Sequence, residues 1–309
     1  MSKTRRILGW IAVGFSVVIS SFWAFWGIGE AFHEGWHMAG LWKNIAGVFA
    51  YLIPMFVTLA VSVYALKSPI GGGLIYIGFG MIFSILIFAV WSSYWTSIWN
   101  ALSWFPVTVF LMITGVFFWI GRLKPKKSIY GLAIGIPLLI VIVFAIEPAI
   151  RVAGRVDDGI RDARLVEGNG VRLIWAPAGP GWPNHSVDWE KARQTCLHLS
   201  EDGKTLMKTP QNIWRLPTVE EAVRSMARHG RNSGGEWDAK KERAKYRIKP
   251  DKESPLWDTT SQIIYWWTST EKDENTVYVI IYNGVVYSAA KDFQIGSRSF
   301  RAIKEAPVR

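Results

Sequence analysis

The sequence predicts a five-helix transmembrane bundle followed by an α+β domain outside the cytoplasm. Three observations carry that prediction: an almost uncharged first half, an abrupt fall in hydropathy at Arg151, and short strand and helix signals from about residue 165 onward. Between Ile7 and Ile146 only eight side chains are formally charged, and they cluster between long apolar runs. With about 1.5 Å of rise per helical residue, about 20 residues cross the hydrocarbon core. The runs Ile7 to Gly29, Asn44 to Leu66 and Ser128 to Ile146 each suit one helix, and the 54-residue uncharged stretch from Ser68 to Gly121 suits two. The expected spans are 7–28, 45–66, 71–91, 104–121 and 129–147.

Orientation follows from the basic residues. Lys3, Arg5 and Arg6 at the N-terminus, Lys67 in the second loop, and Arg122, Lys124, Lys126 and Lys127 in the fourth oppose a single Lys43 in the first and third loops. The positive-inside bias places the N-terminus in the cytoplasm, and an odd number of spans places the C-terminal domain outside, in a multi-pass cell-membrane protein. The third loop, Trp91 to Trp104, carries Tyr94, Trp95 and Trp99, rings suited to a membrane boundary. The 23-residue first run has its small-x-small site, Gly27-Ile28-Gly29, only after the bulky Phe22 to Trp26, so it reads as an uncleaved helix. Gly71-Gly72-Gly73 reads as a turn after Pro69, and Gly78 and Gly80 suit close helix packing.

The formal net charge is +11, of which +6 lies in residues 1–150 and +5 in 151–309. Membrane topology accounts for more than half of it. An outward domain meets no cellular nucleic acid, so the partners expected are the lipid bilayer and a glycan or other surface ligand. Cys196 is the only cysteine, which excludes an intrachain disulfide.

Residues 151–164 read as a polar linker and 165–309 as one domain. Val171 to Trp175 is a strand candidate. Asp188 can cap a helix whose Trp189, Ala192, Cys196 and Leu199 form one buried stripe. Thr218 and Glu221 form a capping box, with Gly230 as the expected left-handed stop. After a polar, basic stretch from Arg231 to Lys252 come strands at Ile263 to Trp267, Thr276 to Tyr282 and Val285 to Ala289. Asn283-Gly284 joins the last two as a type I′ pair, and Ser299 to Ile303 closes the sheet. Arg224, Arg228 and Arg231, continuing into Lys240, Lys241, Arg243, Lys245, Arg247 and Lys249, read as a solvated basic face, with an anionic ligand or headgroup patch as the alternative.

Several of these residues carry a resemblance. Trp189-x-x-Ala192-x-x-x-Cys196-x-x-Leu199, Trp214-Arg215-Leu216-Pro217-Thr218-x-x-Glu221, Trp267-Thr268-Ser269-Thr270, the Tyr278 to Tyr287 hairpin and Arg298-Ser299-Phe300-Arg301 resemble the C-terminal domain of Lcl-type bacterial collagen-like proteins. That family is similar in fold to formylglycine-generating enzymes and, more distantly, to C-type lectins. The resemblance covers about residues 165–305 and implies a C-type-lectin-like domain with a binding role, associated with adhesion and glycan attachment. Enzymatic members use a cysteine pair or a histidine cluster. This chain has one cysteine, and His185, His198 and His229 lack the spacing. The candidate ligand surface is Trp237, Tyr246, Trp257, Tyr265, Tyr287, Lys291 and Arg298, because aromatic faces stack on sugars and basic groups take anionic ones.

The competing reading is a zinc-dependent membrane hydrolase. His33-Glu34-Gly35-Trp36-His37 is an H-E-x-x-H sequence, which on a helix sets two imidazoles one turn apart for zinc, with Glu34 as the catalytic base. Glu30 extends that face and Glu147, at the outer end of the fifth helix, is a candidate further ligand. Lys43 stands where the longer motif needs a third histidine, and Gly35 weakens the helix. The binding reading requires no cofactor.

Overall fold

The structure, a computed structural model, describes residues 2–38, 40–91, 98–123, 126–292 and 298–307, with the side chains of 90–106 outside that description. The expected aromatic loop at Tyr94, Trp95 and Trp99 therefore lies outside the described residues and side chains. The chain divides into two compact units. One comprises Met1–Trp36 and Gly40–Ile150, the other His37–Ala39 and Arg151–Arg309.

The first unit is helical throughout: α1 (Lys3–His33), α2 (Leu41–Tyr51), α3 (Ile53–Lys67), α4 (Pro69–Trp91), α5 (Ile98–Ile120) and α6 (Lys127–Ala153). Three described helices are long and apolar enough to cross a membrane: α1, Pro69–Ala89 of α4, and α6. The number is four if α2 and α3, bent by 50°, form one broken span. The segment expected at 104–121 lies on α5, of which Val107–Ile120 is a shorter apolar helix. The expected continuous helix at 45–66 is thus broken at Leu52. Pro54 enters the first turn of α3, where its missing N–H costs nothing, while the Leu52 N–H folds back onto the Phe49 and Val48 carbonyls at 3.1 Å.

The Gly71 to Gly73 turn is also corrected: these glycines are helical, inside α4. They serve close approach, since a Cβ on Gly72 would lie 2.3 Å from Ala65 and one on Gly73 2.5 Å from the Gly115 carbonyl oxygen. Gly80 does the same against α5, whereas Gly78 meets nothing within 4 Å. Hydroxyls join the helices, as expected where lipid supplies no hydrophobic drive between them. Ser20 Oγ donates to Thr58 Oγ1 (3.2 Å), Ser62 Oγ bonds Tyr76 Oη (2.7 Å), and Tyr76 donates to the Thr58 carbonyl (3.2 Å).

The second unit is α+β. A three-stranded sheet has the order β1 (Arg164–Gly168), β2 (Val171–Trp175), β11 (Ile303–Glu305). A four-stranded sheet has the order β10 (Arg298–Ser299), β7 (Tyr265–Glu271), β8 (Thr276–Ile281), β9 (Val286–Ala290). Two small hairpins pair β3 (Ala227–Arg228) with β4 (Arg231–Asn232) and β5 (Glu236–Asp238) with β6 (Arg243–Lys245). The segment expected to close one sheet therefore serves two, because β10 runs parallel to β7 while β11 pairs with β2. Adjacent residues of β7 point to opposite faces, so Trp266 enters a core with Trp175, Trp257, Tyr282 and α8 (Val219–Ser225). Trp267 enters a second core with Trp214, Phe300 and the Ala192 and Cys196 stripe of α7 (Trp189–His198). Asp188 caps α7 through Lys191 N (2.7 Å), as expected.

Gly230 does not end α8, which stops at Met226. His229 (φ 51°) and Gly230 (φ 70°) instead form the two-residue, positive-φ turn of the β3–β4 hairpin. The β8–β9 turn uses three residues: the Gly284 N–H donates to Ile281 O (2.8 Å), and Gly284, not Asn283, takes positive φ (83°).

The expected linker is fastened to this unit. Asp251, 1% exposed, pairs with Arg155 (2.9 Å), Arg151 (3.2 Å) and Arg228 (2.9 Å). Glu253 accepts from Val156 N (3.1 Å), and Ser254 N donates to Val156 O (3.0 Å). Arg301 is fully buried and holds the Ala176, Pro255 and Leu256 carbonyls, with its guanidinium 3.7 Å from the Trp182 ring centroid.

Candidate functional site

Three of the seven nominated ligand residues converge. Strand pairing sets Arg298 of β10 directly beside Tyr265 of β7, and β9 brings Tyr287 to the same face. The Arg298 guanidinium lies 5.3 Å from the Tyr265 ring centroid and 5.8 Å from that of Tyr287. Arg298 Nε donates to Tyr287 Oη (3.1 Å), and the two rings meet edge to face at 5.9 Å. All three side chains are half-buried. The cluster is a cation held on two phenol rings, an arrangement that offers hydrogen-bond donors, a positive charge and apolar ring surface together.

Lys291 lies next along this surface. Its ammonium pairs with Glu271 (2.5 Å) and stands 4.9 Å from the Trp189 ring centroid. The chain entering α7 stitches the two parts: Val187 N donates to Arg298 O (3.0 Å) and Trp189 N to Lys291 O (3.4 Å). Trp189 and Glu271 also line a cleft of about 320 Å³ with Arg193, Trp214, Arg215 and Ser269. Three sequence motifs thus meet at one opening. Their tryptophans read as core in the sequence, and both are buried with their indole N–H groups bonded internally, Trp189 to Thr268 O and Trp214 to Ser200 O (both 2.8 Å). The signal missed was that all three motifs carry a polar neighbour of the same cleft: Arg193, Arg215 and Ser269.

The remaining nominated residues do not join the cluster. Trp257 is 3% exposed and stacks on Trp266 with centroids 3.6 Å apart, so it is a core residue and not part of a binding surface. Trp237 packs half-buried, edge-on to Tyr278 (5.3 Å). Tyr246 closes over the β8–β9 turn, donating to Gly284 O (3.1 Å). A wider cleft, about 560 Å³, lies between α7 and residues 178–187, lined by Trp182, Asn184, His185, Lys191 and Leu206. The Asn184 side chain accepts there from Ser261 Oγ (2.6 Å).

The H-E-x-x-H segment does not form the arrangement that zinc chemistry requires of it. Helix α1 ends at His33, Glu34 is its C-cap, and residues 34–38 run through turns and a bend, so His33 and His37 are not on consecutive turns of one helix. Gly35, whose N–H donates to Glu30 O at 3.3 Å, stands at the break. Among the described residues no group of three or more His, Cys, Asp or Glu side chains, Glu30 and Glu147 included, is placed to hold a metal ion.

A family model described as a domain of unknown function, DUF7670, matches residues 1–130, which takes in α1 to α5 and only the first four residues of α6. No curated protein and no solved structure matches the chain.

Proposed function

We propose that this is a membrane-anchored recognition or sensing protein: five spans, the N-terminus cytoplasmic, and a lectin-like domain presented outside that binds a glycan or a similar polar surface ligand. The observation that carries the reading is the Tyr265, Tyr287 and Arg298 cluster, in which three residues from separate strands are held together across one face of the four-stranded sheet. Ring surface beside a cation suits a sugar that bears an acidic group. The membrane anchor rests on the apolar helices, the orientation on the basic loops, and the lectin-like assignment on the motif resemblance.

Binding of the full-length protein, in a neutral detergent, to an array of neutral and acidic glycans tests this reading. Tyr287→Ala and Arg298→Ala remove a ring contact and a charge-assisted hydrogen bond, each about 1.4 kcal/mol, so retention of the best glycan falls about tenfold in each variant. Equal retention by wild type and both variants, at unchanged melting temperature, removes this site from the proposal.

A further inference from the structure

Residues 231–249 hold seven Lys and Arg against three acids, a net of +4, and so carry nearly all of the +5 of residues 151–309. Their placement is ordered. Ala244 and Tyr246 turn inward against the core beneath the β5–β6 hairpin, so Arg243, Lys245 and Arg247, at alternate positions, project to solvent. Alternate residues of an extended strand stand about 6.6 Å apart, which spaces Arg243 and Lys245 along β6, and Arg247 continues the row of cations in the bend that follows the strand. The row is anchored beyond the strand as well: Arg247 N donates to Ser233 O (3.0 Å), and the Arg247 stem lies over Gly234, where a Cβ would approach it to 2.9 Å.

Acids offset this charge only in part. Glu236 stands opposite Lys245 and Asp238 opposite Arg243 across the hairpin, but Asp238 pairs with Lys241 (3.8 Å) and Glu242 with Lys272 (2.6 Å). Among the described residues Arg231, Lys240, Arg243, Lys245, Arg247 and Lys249 form no ion pair, and all six are exposed. Ile248, 48% exposed, stands between the last two. An apolar side chain flanked by cations is the chemistry of a membrane–water interface, where the chain enters the headgroup layer and the cations meet phosphate.

We propose that this hairpin face docks on anionic lipid headgroups. The second unit follows directly in the chain from α6, which is long and apolar enough to cross a membrane, so a bilayer is always at high effective concentration. A soluble polyanion meets the same cations but makes no use of Ile248. The proposal is independent of the glycan site.

The full-length protein with Ile248→Cys is labelled with an environment-sensitive fluorophore, the native Cys196 being buried and unreactive, and reconstituted into vesicles of phosphatidylcholine alone or mixed with phosphatidylglycerol. The expected result is a blue-shifted, stronger emission in the anionic vesicles, lost in high salt and lost when Lys245→Glu, Arg247→Glu and Lys249→Glu are combined. In the unlabelled wild type, tryptic cleavage after Lys245 and Arg247 is expected to slow in the anionic vesicles only, a readout that needs no variant to fold. Identical emission and identical cleavage in the two lipid mixtures overturn the proposal. So does a response to added polygalacturonate in neutral vesicles with none to phosphatidylglycerol, which assigns the face to anionic polymers instead.

Discussion

Lys252 is 1% exposed, and its ammonium donates to the Ser261 carbonyl. Burial, reinforced by the nearby Arg155 charge and opposed by Asp258 and Asp251, pulls its pKa from 10.5 down to about 7. A base depressed in the folded state destabilises in full below that value, and the cost is relieved as the pH rises from about 7 toward 10.5. Lys252→Met is therefore expected to raise stability by roughly 2–4 kcal/mol below pH 7 and to flatten the rise in melting temperature above it. A variant less stable than wild type at low pH would show that the Ser261 bond outweighs the buried charge. At this scale the sequence is legible where spacing speaks: Cys196 falls on a helical stripe and is buried, and burial pushes its thiol up, away from reactivity. It is not legible for Trp257, whose composition suits a sugar platform equally well. Only the stack on Trp266 assigns it to the core.

The capping box is the element feature that was legible in full. Thr218 Oγ1 accepts from Glu221 N (3.1 Å) and the Glu221 carboxylate accepts from Thr218 N (2.8 Å), because both groups lie within three residues of one another in the chain. Burial alone would raise the Glu221 carboxyl, but the two-pronged Arg215 contact at 2.7 Å and the Thr218 N–H hold it below the ordinary carboxylate range. Its contribution is thus present above the ordinary carboxylate value and is lost as the pH falls through the folded value. Thr218→Ala is expected to cost about 1 kcal/mol at neutral pH, and Glu221→Gln to cost more while weakening the acid dependence of the melting temperature. An acid limb unchanged in Glu221→Gln would exclude this carboxylate as its source. Where the helix ends was not legible. Gly230 suits a helix stop and a hairpin turn alike, and the choice fell to the pairing of Arg228 with Arg231. The same holds for the H-E-x-x-H segment, in which the motif fixes residue types but not the continuation of α1 past His33.

At the scale of the molecule the boundary between the units is the point of departure from the sequence reading. A polar stretch at 151–164 suits a free linker, yet Arg151, Arg155 and Val156 satisfy the buried Asp251 and Glu253 about a hundred residues away. Breaking a buried charge pair costs about 3–5 kcal/mol, so a fragment beginning at residue 165 is expected to be less stable than one beginning at residue 151 by that order. Urea unfolding followed by tryptophan fluorescence measures the difference, and equal midpoints would show that Arg228 alone neutralises the pair. The sequence by itself determined the helical, membrane-suited first half, the α+β second half, the capping signals and most strand positions. Each of these follows from interactions between residues near in the chain: an apolar run, a period of 2 or 3.6, a cap three residues away. Tertiary structure alone decided the break at Leu52, the glycine contacts of α4, the division of residues 298–305 between two sheets, and which aromatic side chains gather around Arg298. Those outcomes depend on groups far apart in sequence that compete for the same partners, and local pattern does not rank such competitions.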